Sequence, residues 1–187
     1  MKPCLLLAVM IAGCAPPSAP TGWQVPVGWK HELIAFPLPF AKALGHTGVE
    51  ELRFPPGFLD DGAPNEWSYT FAWRLTDPAA MDAAALGDAL ATYFRGLLAE
   101  VDGDKHRLDP TKITATAVPR ADDFELAVHV IDTFHAAAPV DLVGSARRLV
   151  CEDGALWTFV LAPKTSPVRA KLDAVATAAR CGQRPVK

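Results

Sequence analysis

From Glu66 to Thr76 hydrophobic and polar residues alternate with period two. Trp67, Tyr69, Phe71, Trp73 and Leu75 share one parity, and Glu66, Ser68, Thr70, Ala72, Arg74 and Thr76 share the other. Successive side chains of a strand point to opposite faces, so this spacing predicts a strand with one buried face. The stretch Phe124 to Phe134 behaves alike, with Phe124, Leu126, Val128, Val130 and Phe134 on one parity and Glu125, His129 and Thr133 on the other. Further strands are predicted at Val49 to Phe54, Thr111 to Val118, Val140 to Cys151 and Ala155 to Leu161. Pro56-Gly57 suits the centre of a type II turn, and Glu152-Asp153-Gly154 carries a hairpin signal.

Elsewhere the period becomes helical. Asp77-Pro78 offers an N-cap and a proline for the first turn. Leu86, Leu90, Tyr93, Phe94, Leu97 and Val101 then recur on one face until Asp102-Gly103, although Gly87 and Gly96 weaken the run. Ser166-Pro167 repeats the device before a smaller stripe of Val168, Leu172, Val175 and Ala179 that ends near Cys181-Gly182. Strands, a long helix, a meander of about four strands and a last helix make an α+β fold. The expectation is an antiparallel sheet of about five to six strands with two amphipathic helices packed on one face. Residues 23–187 form one domain, with no internal repeat.

Ahead of the domain, Met1, Lys2 and Pro3 precede an apolar run from Cys4 to Ile11, too short to span a bilayer and followed by small residues, as in a cleavable signal peptide. Ile11-Ala12-Gly13-Cys14 resembles the lipobox of bacterial lipoproteins, an aliphatic residue and two small ones before an invariant cysteine. The resemblance covers residues 1–14 alone. It implies that 1–13 are removed as a signal peptide and that Cys14 becomes a lipidated N-terminus whose two or more acyl chains, palmitate among them, make a stable membrane anchor. Ala15, where an aspartate would imply inner-membrane retention in that family, implies the outer membrane of the cell envelope, facing periplasm or surface. From Cys14 to residue 22 the proline-rich stretch APPSAPTG reads as a tether.

With Cys4 lost and Cys14 lipidated, Cys151 and Cys181 remain, and an even pair in an exported domain reads as a disulfide. Two separate buried thiols are the alternative. The formal net charge of −3 becomes more negative once Lys2 leaves with the signal, which argues against nucleic acid as a partner.

Candidate chemistry is sparse. His129 and His135 share a strand parity but stand six residues apart, roughly 20 Å along an extended chain, and Asp132 has the other parity, so no metal site is expected there. Asp60-Asp61-Gly62 and Asp102-Gly103-Asp104 lack the spaced oxygens of a calcium loop and read as turns. No nucleophile elbow, phosphate cradle or dinucleotide fingerprint occurs, so no cofactor is expected. Phe36 to Phe40 and Arg53 to Phe58 pair prolines with aromatics, as turns that pin rings over a core edge or as a binding lip. Trp23 and Trp29 are clamps over the domain or an exposed contact. The leading expectation is a lipid-anchored, non-enzymatic envelope protein whose polar sheet face, Ser68, Thr70, Arg74, Glu125, His129 and Thr133, meets another envelope protein or a glycan. The alternatives are a small envelope hydrolase using Glu125 and His129 with Ser68 or Ser145, and a structural or assembly lipoprotein.

Overall fold

The computed structural model describes residues 22–102 and 108–182. The signal segment, Cys14 and most of the tether lie outside them. Seven strands form one antiparallel sheet: β1 (Lys30–Phe36), β2 (Gly48–Phe54), β3 (Tyr69–Leu75), β4 (Thr114–Arg120), β5 (Asp123–Ile131), β6 (Pro139–Cys151) and β7 (Gly154–Pro163), in the order β1-β2-β3-β7-β6-β5-β4. Two meanders, β1 to β3 and β4 to β7, therefore meet where β3 pairs with β7, Trp73 facing Trp157 and Phe71 facing Phe159. The α+β class and the antiparallel sheet stand as expected. The added strand is β1, whose Lys30, His31 and Glu32 hide its period because it runs along an exposed edge.

Helix α1 (Ala83–Asp102) carries the chain from the middle of the sheet to its far edge, so it lies across the face that bears Phe71, Trp73, Phe159 and Leu161. Leu86, Leu90, Tyr93, Phe94 and Leu98 are buried against that face. The helix begins later than Asp77-Pro78 suggests. Asp82 caps it by accepting from Ala85 N at 2.9 Å, while Asp77 accepts from Thr47 N at 3.1 Å. A cap needs only one short acceptor before the apolar stripe, and the chain contains two.

Helix α2 (Arg169–Thr177) packs on the opposite face, Leu172 and Ala176 lying against Val160 and Ala162. The expectation that both helices share a face is thus corrected. The physical reason is parity: α2's stripe meets the small apolar residues that alternate with the aromatic ones on β7, and this central strand is buried on both sides. Trp23 and Trp29 complete this second layer as clamps; both are buried, and Trp23 Nε1 donates to Val175 O at 2.8 Å. Cys151 and Cys181 form the expected disulfide, with Cα atoms 5.5 Å apart, which fastens the end of the α2 segment to the β6–β7 hairpin.

Trp67 departs from the strand pattern. It precedes β3 with φ of 56° and packs its ring against Phe58 and Phe134 in the main core. The proline-aromatic segments act as core edges: Phe54 and Phe58 pack on Tyr69, and Leu38 is fully buried.

Gly96, which weakens the α1 pattern, has a packing cause. A Cβ there would lie 2.1 Å from Phe40 O, backbone of the loop that crosses the helix. Gly96→Ala is therefore expected to destabilise the fold by about 1–3 kcal/mol through overpacking, although alanine is the better helix former by about 1 kcal/mol. Urea unfolding of the two proteins checks this, and a more stable variant would refute the close approach.

Candidate functional site

The polar residues of β3, and Ser68 just before it, turn inward. Ser68 and Thr70 are fully buried; Ser68 Oγ donates to Ser166 Oγ at 2.8 Å, and Thr70 Oγ1 donates to Phe159 O at 2.7 Å. Arg74 Nε donates to Glu51 Oε1, and Arg74 Nη1 donates to Arg180 O at 2.7 Å. Glu51 also takes Arg53 Nη2 at 2.9 Å, and Arg53 lies under the Trp23 ring with Nη2 donating to Trp23 O at 2.7 Å. One buried carboxylate thus joins two guanidiniums beneath the Trp23 clamp. Ser68, Thr70 and Arg74 are corrected from contact surface to interior. Polar parity marks a face, and here α2 and the Trp23 segment cover it.

On the same face the covering ends on β6, where Leu149 and Cys151 pack with Trp23, Ala72 and Leu156 and Arg169 Nη1 of α2 donates to Val143 O at 2.9 Å. Over the rest of β6 and over β5 and β4 the outward residues are Asp141, Val143, Ser145 and Arg147; Asp123, Glu125, Ala127 and His129; and Thr114, Thr116 and Val118, all exposed or half-buried. His129 Nδ1 lies 2.7 Å from Asp141 Oδ1, and Arg120 Nη2 lies 2.7 Å from Glu125 Oε2. Such exposed pairs add little stability. Glu125 and His129 are therefore where the sequence places them, on an open sheet face.

The hydrolase constellation is not assembled among the described residues. Ser145 stands opposite Glu125, while the partner of His129 is Asp141, four residues along β6 and roughly 13 Å away. Ser68 is sealed on the far side of β7.

Thr133 lies past the end of β5, away from Glu125 and His129. Its Oγ1 is buried without a hydrogen-bond partner, and it lines a cavity of about 400 Å³ together with Val101, Asp102, Leu108, Asp132 and His135. Asp132 organises this corner. Its carboxylate accepts from the backbone N–H groups of Phe134, His135 and Ala136 at 3.0, 3.2 and 2.7 Å and from Trp67 Nε1 at 3.3 Å. Burial opposes its charge, but the N–H donors of Ala136, Phe134 and His135 outweigh that cost and hold its pKa below the usual aspartate value.

His135 joins this corner to the loop before β3. Its Nδ1 lies 3.2 Å from Glu66 Oε1, and its Nε2 lies 3.0 Å from Leu59 O. Asp61, Glu66 and His135 each bring one potential ligand atom to within 4.8 Å of the others. Strand spacing could not reveal this group, because Asp61 and Glu66 reach His135 only through the fold; the DDG turn was the sole trace.

A second buried acid lies on the α1 face. Glu50 is fully buried, accepts from Trp73 Nε1 at 3.0 Å, and lies beside the Tyr93 hydroxyl. Burial pushes its pKa up to about 8, only partly offset by Trp73 and Tyr93, and Glu32 adds to the rise. With no solvent access it is a core acid and touches nothing from outside.

Comparison of the chain with protein-family models, with curated proteins and with solved structures finds no match.

Proposed function

We propose that the chain is a lipid-anchored envelope protein whose open half-sheet, β4 to β6, is a reversible contact surface for another envelope protein. The observation that carries this reading is the asymmetry of the α2 face, sealed over β3, β7 and the Leu149–Cys151 end of β6 and open over β5, β4 and the Asp141–Arg147 part of β6. The bare half carries both signs of charge and no aromatic ring, so it suits a polar protein surface better than a sugar ring, which packs on aromatic faces. Edge strand β4 adds unpaired backbone groups at its margin. The Cys151–Cys181 disulfide supports export to an oxidising compartment, and Ile11-Ala12-Gly13-Cys14 supports the anchor.

A photoreactive residue at Thr116, in the native envelope, tests the reading. The expected result is a discrete adduct with an envelope protein that disappears when Ala127→Arg is added on the neighbouring strand. Ala127→Arg itself should stay folded, since exposed substitutions change stability by about 0.5 kcal/mol or less. Cys14→Ala should release the chain to the soluble fraction. An adduct that survives Ala127→Arg, or none at all, overturns the contact surface; a membrane-bound Cys14→Ala chain overturns the anchor.

A further inference from the structure

We propose that Asp61, Glu66 and His135 bind a divalent transition-metal cation of the zinc type, at the mouth of the cavity lined by Asp132 and Thr133. The site lies apart from the open half-sheet and does not depend on that surface being a contact.

The geometry begins with the imidazole. Leu59 O can only accept, so Nε2 of His135, 3.0 Å away, carries the hydrogen. Nδ1 faces carboxylate oxygens, Glu66 Oε1 at 3.2 Å and Asp132 Oδ1 at 3.7 Å. Such a contact is held either by a second proton on the imidazole, which makes it an ion pair, or by a metal cation shared between the side chains. The hydrogen bond from the remote ring nitrogen to a backbone carbonyl is the support that metal-bound histidines usually have. Ligand bonds of about 2.1 Å in a tetrahedral arrangement separate donor atoms by roughly 3.4 Å. The Nδ1–Glu66 separation of 3.2 Å already meets that spacing, and the 4.8 Å spread of the three donors closes with a small turn of the exposed Asp61 side chain.

Asp132 is the outer partner. Its oxygens accept four hydrogen bonds, which fix the 134–136 turn that presents His135, so it positions the imidazole without ligating. Gly62 N donates to Glu66 Oε2 at 3.0 Å and leaves Oε1 aimed at the imidazole. One nitrogen and two oxygen donors leave at least one coordination position vacant, and the adjoining cavity supplies room for water or a small anion there. Imidazole with carboxylates favours zinc, cobalt or manganese over calcium, whose sites use oxygen alone.

Titration calorimetry of the full-length protein in detergent with Zn²⁺, and visible spectroscopy with Co²⁺, decide the matter. The expected result is one Zn²⁺ per chain, a Co²⁺ spectrum showing nitrogen and oxygen ligation, and displacement of Co²⁺ by Zn²⁺. Affinity should fall at least about tenfold in His135→Ala and in Asp61→Asn. Asp61 is exposed, so Asp61→Asn keeps its fold if His135→Ala does not. His31→Ala, on the exposed edge strand β1 and outside both surfaces, should leave binding unchanged. Absence of Zn²⁺ binding, binding indifferent to Asp61→Asn, loss of binding in His31→Ala, or Ca²⁺ binding as tight as Zn²⁺ would each overturn the proposal.

Discussion

Replacing Glu51 by glutamine is expected to destabilise the protein by about 3–5 kcal/mol, the usual cost of leaving a buried charge without its partner. Glu51 and Arg53 are fully buried, and the Arg74 side chain is 15% exposed, so water cannot compensate. Two guanidiniums depend on the one carboxylate, and Arg53 Nε and Arg74 Nη2 already lack partners. Burial also lowers the Arg53 pKa, with Glu51 opposing that shift. Since whole domains are stable by only about 5–15 kcal/mol, the variant loses a large share of its margin. The Trp23 clamp should loosen with it, because Arg53 holds both the Trp23 carbonyl and its ring. Urea unfolding followed by tryptophan fluorescence measures both effects. If the carboxylate is the cause, Glu51→Leu with Arg53→Met recovers part of the loss, as apolar replacement of a whole buried pair often does. A loss below about 1 kcal/mol for Glu51→Gln would show that the network contributes nothing.

The second large effect depends on pH. The Glu50 pKa is about 8 in the folded chain against 4.5 for the ordinary glutamate, so the native state holds a proton that the unfolded state gives up between those values. Stability is then full below about pH 4.5 and falls as pH rises toward 8, at up to about 1.4 kcal/mol per pH unit. Glu50→Gln keeps an acceptor for Trp73 Nε1 and cannot ionise. The variant should match the wild type at pH 5 and exceed it at pH 8 by on the order of 3 kcal/mol. Comparing the two proteins subtracts the shared titration of every other group, including Glu32. Parallel stability profiles would sink the assignment.

Much of this architecture was legible because periodicity reports which residues share a side. The α1 stripe, β5, the β6–β7 hairpin and the cysteine pair all follow from spacing or count. What periodicity cannot report is what lies over a face. Thr70 and Arg74 look solvent-facing because they are polar, yet Glu51 and Arg53, equally polar, arrive beside them from β2. Their charges satisfy each other in the interior, and α2, with its weak apolar stripe, seals them. Edge strand β1 was hidden for the opposite reason, since an exposed edge tolerates Lys30 and His31. Asp61 and Glu66 meet His135 only because the loop before β3 folds back over the end of β5, a contact between distant parts of the chain that no local pattern encodes.

The seam between β3 and β7 also governs how the chain assembles. Each meander consists of neighbouring strands joined in sequence and can form early, but the stacked Phe71 and Phe159 rings, 4.4 Å apart, exist only once two strands from distant parts of the chain find each other. Closing so long a loop is entropically costly before any reward is collected, so this pairing is the one expected to limit the folding rate. Until it occurs, β3 and β7 are two bare aromatic edges. A cell producing this chain must keep those edges from meeting the wrong copy.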